Sequence, residues 1–337
     1  MKAMVLEEVN TPLVYREIPD PVIEEPDDVI IKVTACGLCT TDLKVQHGVL
    51  DTEGFPRVLG HEPAGIVTQI GPAVTNVKIG DRVVSSTYMA CKSCEYCRKG
   101  RDTLCVNLGG RLGITVNGGF AEYMRLKAKC LVKIPEGVDD AQACIIPCGG
   151  GVAYHALVKR FQVSPSDRVM VLGVGGLGIQ AIQMCALSGA ETIAVDIDDE
   201  KLTLAKEKGA TFTVNTKNPR YLEILREIGG ANVLFDTIGM AKLLANCMSV
   251  LKKGSRVILV AYGPGKELQV DMATVVRNEL EILGSNGVGI QDVADMMRLL
   301  EQKKLSPVVT RYPLTELNEV IEKLSNNQLI GRAVLIP

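Results

Sequence analysis

The sequence predicts an α/β protein, with a parallel, doubly wound, six-stranded sheet inserted into a second domain that is largely antiparallel and barrel-like. Three observations predict it. From about residue 168 short β-branched runs alternate with helical patterns, as βαβ units require. A Gly173-x-Gly175-x-x-Gly178 turn separates the first of those strands from the helix that follows. Before residue 145, runs of Val and Ile are instead broken by Pro and Gly, the pattern of an antiparallel barrel.

A chain of 337 residues is long enough for two domains, each with its own core. Net charge is −2 with both signs interspersed, which argues against a nucleic-acid partner, whose footprint is a basic excess. The composition is aliphatic, with no Trp, five Phe and eight Tyr, and no internal repeat points to a solenoid. The uncharged stretch Val169–Ala190 could span a bilayer on length alone. Gly173, Gly175, Gly176 and Gly178, with Gln180 and Gln183, split it into strand, turn and buried helix, so no membrane association is expected. Met1-Lys2-Ala3-Met4 does not resemble a signal peptide, and the expected location is the cytoplasm.

Residues 1–149 are expected to form the first domain, with strand-like runs at Val29–Thr34, Ala64–Ile70 and Asp81–Ser85. A lobe at about 88–108 carries Cys91, Cys94, Cys97 and Cys105, spaced C-x2-C-x2-C-x7-C. Thiolates this clustered suit one tetrahedral zinc, each about 2.3 Å from the ion. Disulfides are the competing reading, and a reduced compartment disfavours them. A closed four-thiolate site holds a loop together and does no chemistry, so the activity is sought elsewhere.

Residues 150–286 carry the alternating pattern. Strands are read at Val169–Leu172, Thr192–Val195, Phe212–Val214, Val233–Asp236, Val257–Val260 and Leu280–Leu283, with helices such as Leu177–Leu187, Asp199–Lys208, Arg220–Ile228 and Ala241–Leu251 between them. Gly173 makes the tight turn, Gly175 lets backbone approach a pyrophosphate, Gly176 and Leu177 continue the loop, and Gly178 packs helix on sheet. Asp196 ends the second strand, eighteen residues after Gly178, where a carboxylate binds the ribose hydroxyls and repels a 2′-phosphate. NAD rather than NADP is therefore predicted. The alternative for Asp196 is a helix N-cap or a solvated strand end. Lys201 could reach the same ribose or be a surface helix lysine. The remainder, 287–337, reads as a helix at Gln291–Gln302, a short helix near Leu314–Leu324 and a closing strand at Arg332–Ile336, expected to return to the first domain.

Three further residues, Cys39, His61 and Cys148, would leave the fourth position of a zinc ion open. Each alone is weak, because a lone Cys or His is usually a core residue. Their setting is more specific. Gly37-x-Cys39-x-Thr41-Asp42, Gly60-His61-Glu62-x-x-Gly65 with Gly71, the cysteine lobe, Gly118-Gly119-Phe120-Ala121-Glu122-Tyr123 and the glycine loop follow one another in order. Together they resemble the zinc-dependent alcohol dehydrogenases of the medium-chain dehydrogenase/reductase family, over essentially the whole chain.

That resemblance implies a GroES-like catalytic domain, a Rossmann domain and an active site in the cleft between them, with two zinc ions per chain and NAD. Cys39, His61 and Cys148 match the catalytic zinc ligands, and Asp42 matches the carboxylate that orients the ligand histidine. Glu62 matches the carboxylate behind the zinc, which in some members visits the metal, and Thr41 matches the hydroxyl that takes the alcohol proton. Two positions depart from the pattern. Lys44 stands where several members carry the histidine at the outer end of the proton relay, with His47 out of register, and Thr40 replaces a basic residue near the pyrophosphate. Thr87, small where some relatives carry a bulky aromatic, points to secondary, cyclic or polyol alcohols. A polyol or sugar dehydrogenase and a hydroxyacyl-thioester dehydrogenase are alternatives within the fold. A non-catalytic zinc and nucleotide binding protein is the alternative outside it. The compact length implies, by analogy, a homotetramer more than a dimer.

Overall fold

The strand Asp28–Gly37 is apolar on both faces over most of its length, as suits a strand with neighbours on each side and a core beneath. In the computed structural model it is central to a seven-stranded sheet. The order is Val309–Pro313, Arg332–Ile336, Asp28–Gly37, Glu62–Ile70, Arg82–Ser85 and Leu131–Lys133, with Tyr123–Lys127 also paired to Asp28–Gly37. Pairing is antiparallel except between Val309–Pro313 and Arg332–Ile336. Register shifts at Ile30/Ile31 and Val33/Ala35 bend the central strand, the device by which such sheets curl. A smaller sheet joins Val14–Glu17, Lys2–Leu6 and Arg57–Val58. The structure describes residues 1–337 apart from Asp51 and 263–266.

Contacts divide the chain into two units, Met1–Gly151 with Val288–Pro337, and Val152–Gly287. The return segment is part of the first unit for a physical reason. Leu317, Val320 and Leu335 are buried in the same core as Met4, Leu6, Ile31 and Phe120. Each such side chain contributes roughly 1.5–3 kcal/mol of burial.

The second unit is built on six parallel strands in the order Phe212–Asn215, Glu191–Asp196, Arg168–Leu172, Val233–Asp236, Arg256–Leu259, Glu281–Gly284. The chain starts in the middle of the sheet and reverses direction there. That switch point opens a crevice at the carboxyl ends of Arg168–Leu172 and Val233–Asp236, the usual place for a nucleotide in this fold.

Helix also occurs where the sequence pattern does not announce it. Asp140–Cys144 runs into a π-helical turn at Ile146–Gly150, a turn of α-helix at Gly151–Tyr154 and a second π-helical stretch, His155–Arg160. Pro147 and Gly149–Gly151 are poor helix formers, yet Pro147 stands at the start of its turn, where a missing N–H costs little. Asp140–Arg160 is the one helical run, among the described residues, long and apolar enough to cross a membrane. Its most apolar window is 72% buried, which marks it as core. Val169–Ala190 resolves into strand, glycine turn and helix (Arg168–Leu172 and Gly178–Leu187).

Candidate active site

Cys39 is the N-cap of the short helix Thr40–Gln46 and follows directly on the central strand. Asp42, three residues on, turns its carboxylate back so that Oδ2 accepts the Cys39 amide at 2.9 Å, half of a capping box. Oδ1 of the same carboxylate accepts from Gly60 N and lies 3.2 Å from His61 Nδ1. One buried carboxylate thus positions two loops. Cys148 arrives from the π-helical turn, its sulfur 3.9 Å from that of Cys39.

The donor atoms of Cys39, His61, Glu62 and Cys148 all lie within 4.8 Å of one another. A zinc tetrahedron with sulfurs about 2.3 Å from the ion has edges of about 3.8 Å, so the sulfur separation fits. His61 Nε2 is buried without a hydrogen-bond partner, an expense that a metal ion at this point would remove. Burial opposes a charged imidazole, but Asp42 beside it holds the His61 pKa well above the ordinary value. The hydrogen bond between the sulfurs lowers the Cys39 thiol well below its usual range and, with burial, pushes Cys148 up. A soft, electron-rich donor set of two sulfurs and one imidazole suits zinc.

Around this centre, Thr41 Oγ1 lies 3.7 Å from Cys39 Sγ, and Thr87, also buried, donates its hydroxyl to the His61 carbonyl at 3.3 Å. Lys44 is half-buried one turn beyond Thr41. His47 is exposed at the helix C-cap, with Nδ1 3.3 Å from Asn10 Oδ1. Thr40 is exposed.

The second cluster is local. Cys91 and Cys97 sulfurs stand 3.9 Å apart, and those of Cys94 and Cys105 stand 4.0 Å apart, the same tetrahedral edge. The Ser93 hydroxyl and the Ser93 and Cys94 amides point at Cys91 Sγ and lower its pKa to about 5, as a thiolate ligand needs. All eleven cysteines are free of disulfides.

In the second unit Gly173 has φ +82°, and a Cβ there would meet Ile238 and Thr237 side chains. At Gly178 a Cβ would fall 1.8 Å from the Gly173 carbonyl, whereas at Gly175 it would meet nothing within 4 Å. Gly178 therefore serves packing, and Gly175 leaves the open approach a pyrophosphate requires, before the helix Gly178–Leu187. Asp196 Oδ2 accepts from Val174 N at 2.8 Å and Oδ1 from Ile197 N at 2.7 Å. The helix cap is a different residue: Asp198 accepts from Glu200 N and Lys201 N. Lys201 is 3% exposed, which removes the surface-lysine alternative.

Comparison with known proteins agrees with this geometry. An alcohol dehydrogenase GroES-like domain model matches residues 25–136, and a zinc-binding dehydrogenase model matches 176–302. An alcohol dehydrogenase of Geobacillus stearothermophilus is 34% identical over 99% of both chains. The chain belongs to the zinc-dependent alcohol dehydrogenases of the medium-chain family. The crystal structure of the alcohol dehydrogenase from the archaeon Aeropyrum pernix superposes with a TM-score of 0.94 at 31% identity, covering 100% of both chains. Galactitol-1-phosphate dehydrogenase from Escherichia coli superposes at 0.89 with 27% identity, again covering 100% of both.

One residue of this dehydrogenase site escaped the sequence reading. Arg332, in the closing strand, is buried and donates through Nη2 to Glu62 Oε1, from a position 270 residues away. Burial raises the Glu62 pKa, and Arg332 opposes that rise. Glu62 Oε2 keeps no partner. The signal available was a lone cation in an apolar strand, Arg332-Ala-Val-Leu-Ile336, since buried charges are paired.

Proposed function

We propose that this chain is an NAD-dependent zinc alcohol dehydrogenase that interconverts a secondary, cyclic or polyol alcohol with its ketone or aldehyde. The activity class, the two zinc ions and the dinucleotide follow from the family. The residue assignments are our reading. What carries it is the meeting of Cys39, His61 and Cys148 around a buried, unpartnered His61 Nε2.

Cys39, His61 and Cys148 would hold the catalytic zinc, with Glu62 as an alternate ligand, and Cys91, Cys94, Cys97 and Cys105 the structural one. When bound, zinc supplies Lewis acidity that lowers the pKa of an alcohol, and NAD supplies the ring that accepts the carbinol hydride. Asp42 fixes the His61 tautomer by accepting from Nδ1, leaving Nε2 free to ligate. Thr41 receives the alcohol proton and passes it outward. The outer end of that path is the cofactor ribose, water or Lys44, which stands one turn along the same helix. Gly173 to Gly178 cradle the pyrophosphate, Asp196 selects the unphosphorylated ribose, and Lys201 reaches towards the same ribose.

The small, hydrogen-bonded Thr87 beside His61 favours a substrate with two carbon branches at the carbinol. The Escherichia coli polyol-phosphate enzyme of the same fold supports polyols as the second reading. A panel of primary, secondary and polyol alcohols with NAD and NADP tests both. Turnover confined to primary alcohols rejects the substrate class. We further propose a homo-oligomer, a tetramer more than a dimer, in the cytoplasm. The edge strand Glu281–Gly284 and the helix Met272–Asn278, with Met272 82% and Val276 75% exposed, offer apolar surface for such contacts.

A further inference from the structure

One tie between the cysteine lobe and the rest of its unit is a buried carboxylate. Asp102 opens a 3-10 turn, Asp102–Leu104, between the third and fourth lobe cysteines, and is 4% exposed. Its Oδ2 accepts from Lys92 Nζ at 2.5 Å and from Ile290 N at 3.2 Å. Ile290 begins the twelve-residue helix Ile290–Glu301, whose N-cap is Gly289, a residue with no side chain to cap anything. Asp292 satisfies the Gly289 amide, and the first helical amide is satisfied from the lobe by Asp102. A side chain at Gly289 would stand 3.3 Å from the Gly100 carbonyl, so the close approach of lobe and helix is built in.

The middle of the same helix touches the turn that presents Cys148. Met296 is fully buried, and its Cε lies 3.0 Å from where a Gly150 Cβ would be, as does Ile146 Cδ1. Ile146 and Gly150 bound the π-helical turn that carries Cys148. Val288 similarly abuts Gly151. Every link is a packed contact or a hydrogen bond within the first unit.

We propose that Asp102 is a positioning residue for the catalytic metal: it holds the Ile290–Glu301 helix against the lobe, and that helix seats the turn that presents Cys148. Zinc–ligand distances tolerate only about 0.2 Å, so a small slide of the helix is felt at the metal. The inference rests on Cys148 being a ligand, as proposed above.

The test titrates Co2+ into full-length protein from which the labile metal has been removed by mild chelation, with the retained lobe zinc counted by native mass spectrometry. Visible d–d and thiolate charge-transfer bands report the Cys39–His61–Cys148 set. Wild type takes up one Co2+ beside the lobe zinc. Asp102→Ala is expected to keep the lobe zinc but to bind Co2+ about tenfold or more weakly, the usual scale for outer supports of a metal site, with shifted bands. Asp102→Asn, which keeps an acceptor for Ile290 N, is expected to restore binding. Unchanged affinity and spectrum in Asp102→Ala would overturn the proposal. If that variant does not fold, Met296→Ala cuts the same route at its far end. Weakened Co2+ binding there supports the proposal, and wild-type binding rejects it. A wild-type protein that takes up no second ion instead rejects the ligand assignment, and the Asp102 role falls with it.

Discussion

Asp42 and His61 face each other across 3.2 Å, Oδ1 to Nδ1, while the second oxygen of Asp42 accepts the amide of Cys39 at 2.9 Å. Both groups are essentially inaccessible to water. A carboxylate here does three things at once: it chooses the imidazole tautomer, raises its basicity, and locks the strand-to-helix turn that carries Cys39. Asp42→Asn preserves the shape but can donate where the wild type accepts. We expect catalytic-site zinc affinity to fall about 10–100-fold, with the four-cysteine site unaffected as an internal control. Competition with a chromophoric chelator measures it, and equal affinities would contradict this role.

The Thr41 hydroxyl lies 3.7 Å from the Cys39 sulfur. Thr41→Ala is expected to lower kcat by about 10²–10⁴, the usual worth of a positioned proton-transfer group. Metal content should not change, and Thr41→Ser should recover most of the rate. A Thr41→Ala enzyme at wild-type turnover would exclude the hydroxyl from the proton path.

Asp196 is bonded on both oxygens to backbone, including Val174 in the glycine turn, so it shapes the turn as well as standing at the proposed ribose site. Asp196→Ser is expected to cost about 1–3 kcal/mol in kcat/KM for NAD, as lost hydrogen bonds to a charged group do. The NAD to NADP ratio should shift towards NADP. Steady-state kinetics with both cofactors decide it. A preserved ratio means that specificity lies elsewhere.

What the sequence revealed follows from distance along the chain. The cysteine lobe and the Gly173–Gly178 turn are short, self-contained segments, so their spacing alone exposes their geometry. The alternation after residue 168 likewise displays a parallel sheet, because each βαβ unit is local. Cys39, His61 and Cys148 lie on separate segments, and only a whole-chain resemblance links them. Arg332 meets Glu62 through strand pairing that no periodicity encodes. Lys201 looks like any helix lysine, since the pattern cannot tell which polar residue a helix turns inward. Pro147 and three consecutive glycines hid a helical run because propensity there yields to packing.

Asp28 offers a pH test in the same unit. Burial works against its charge, but Lys127 at 2.8 Å and the amides of Glu24 and Glu25 outweigh it, and the folded pKa lies below the ordinary value. The stability it provides is therefore complete above the unfolded pKa, near about 3.9, and is lost as pH falls through the folded value. Asp28→Asn is expected to cost about 1–3 kcal/mol at pH 7. Urea unfolding should show that deficit shrinking below pH ~4, and a deficit that grows on acidification would contradict the assignment.

The proposed open metal site of Cys39, His61 and Cys148 is probed by counting zinc per chain in wild type and in Cys148→Ser while following alcohol-driven NAD reduction. Two zinc ions and activity are expected in the wild type, and one retained zinc with activity abolished in the variant. A Cys148→Ser enzyme that still carries two zinc ions and turns over normally would contradict it.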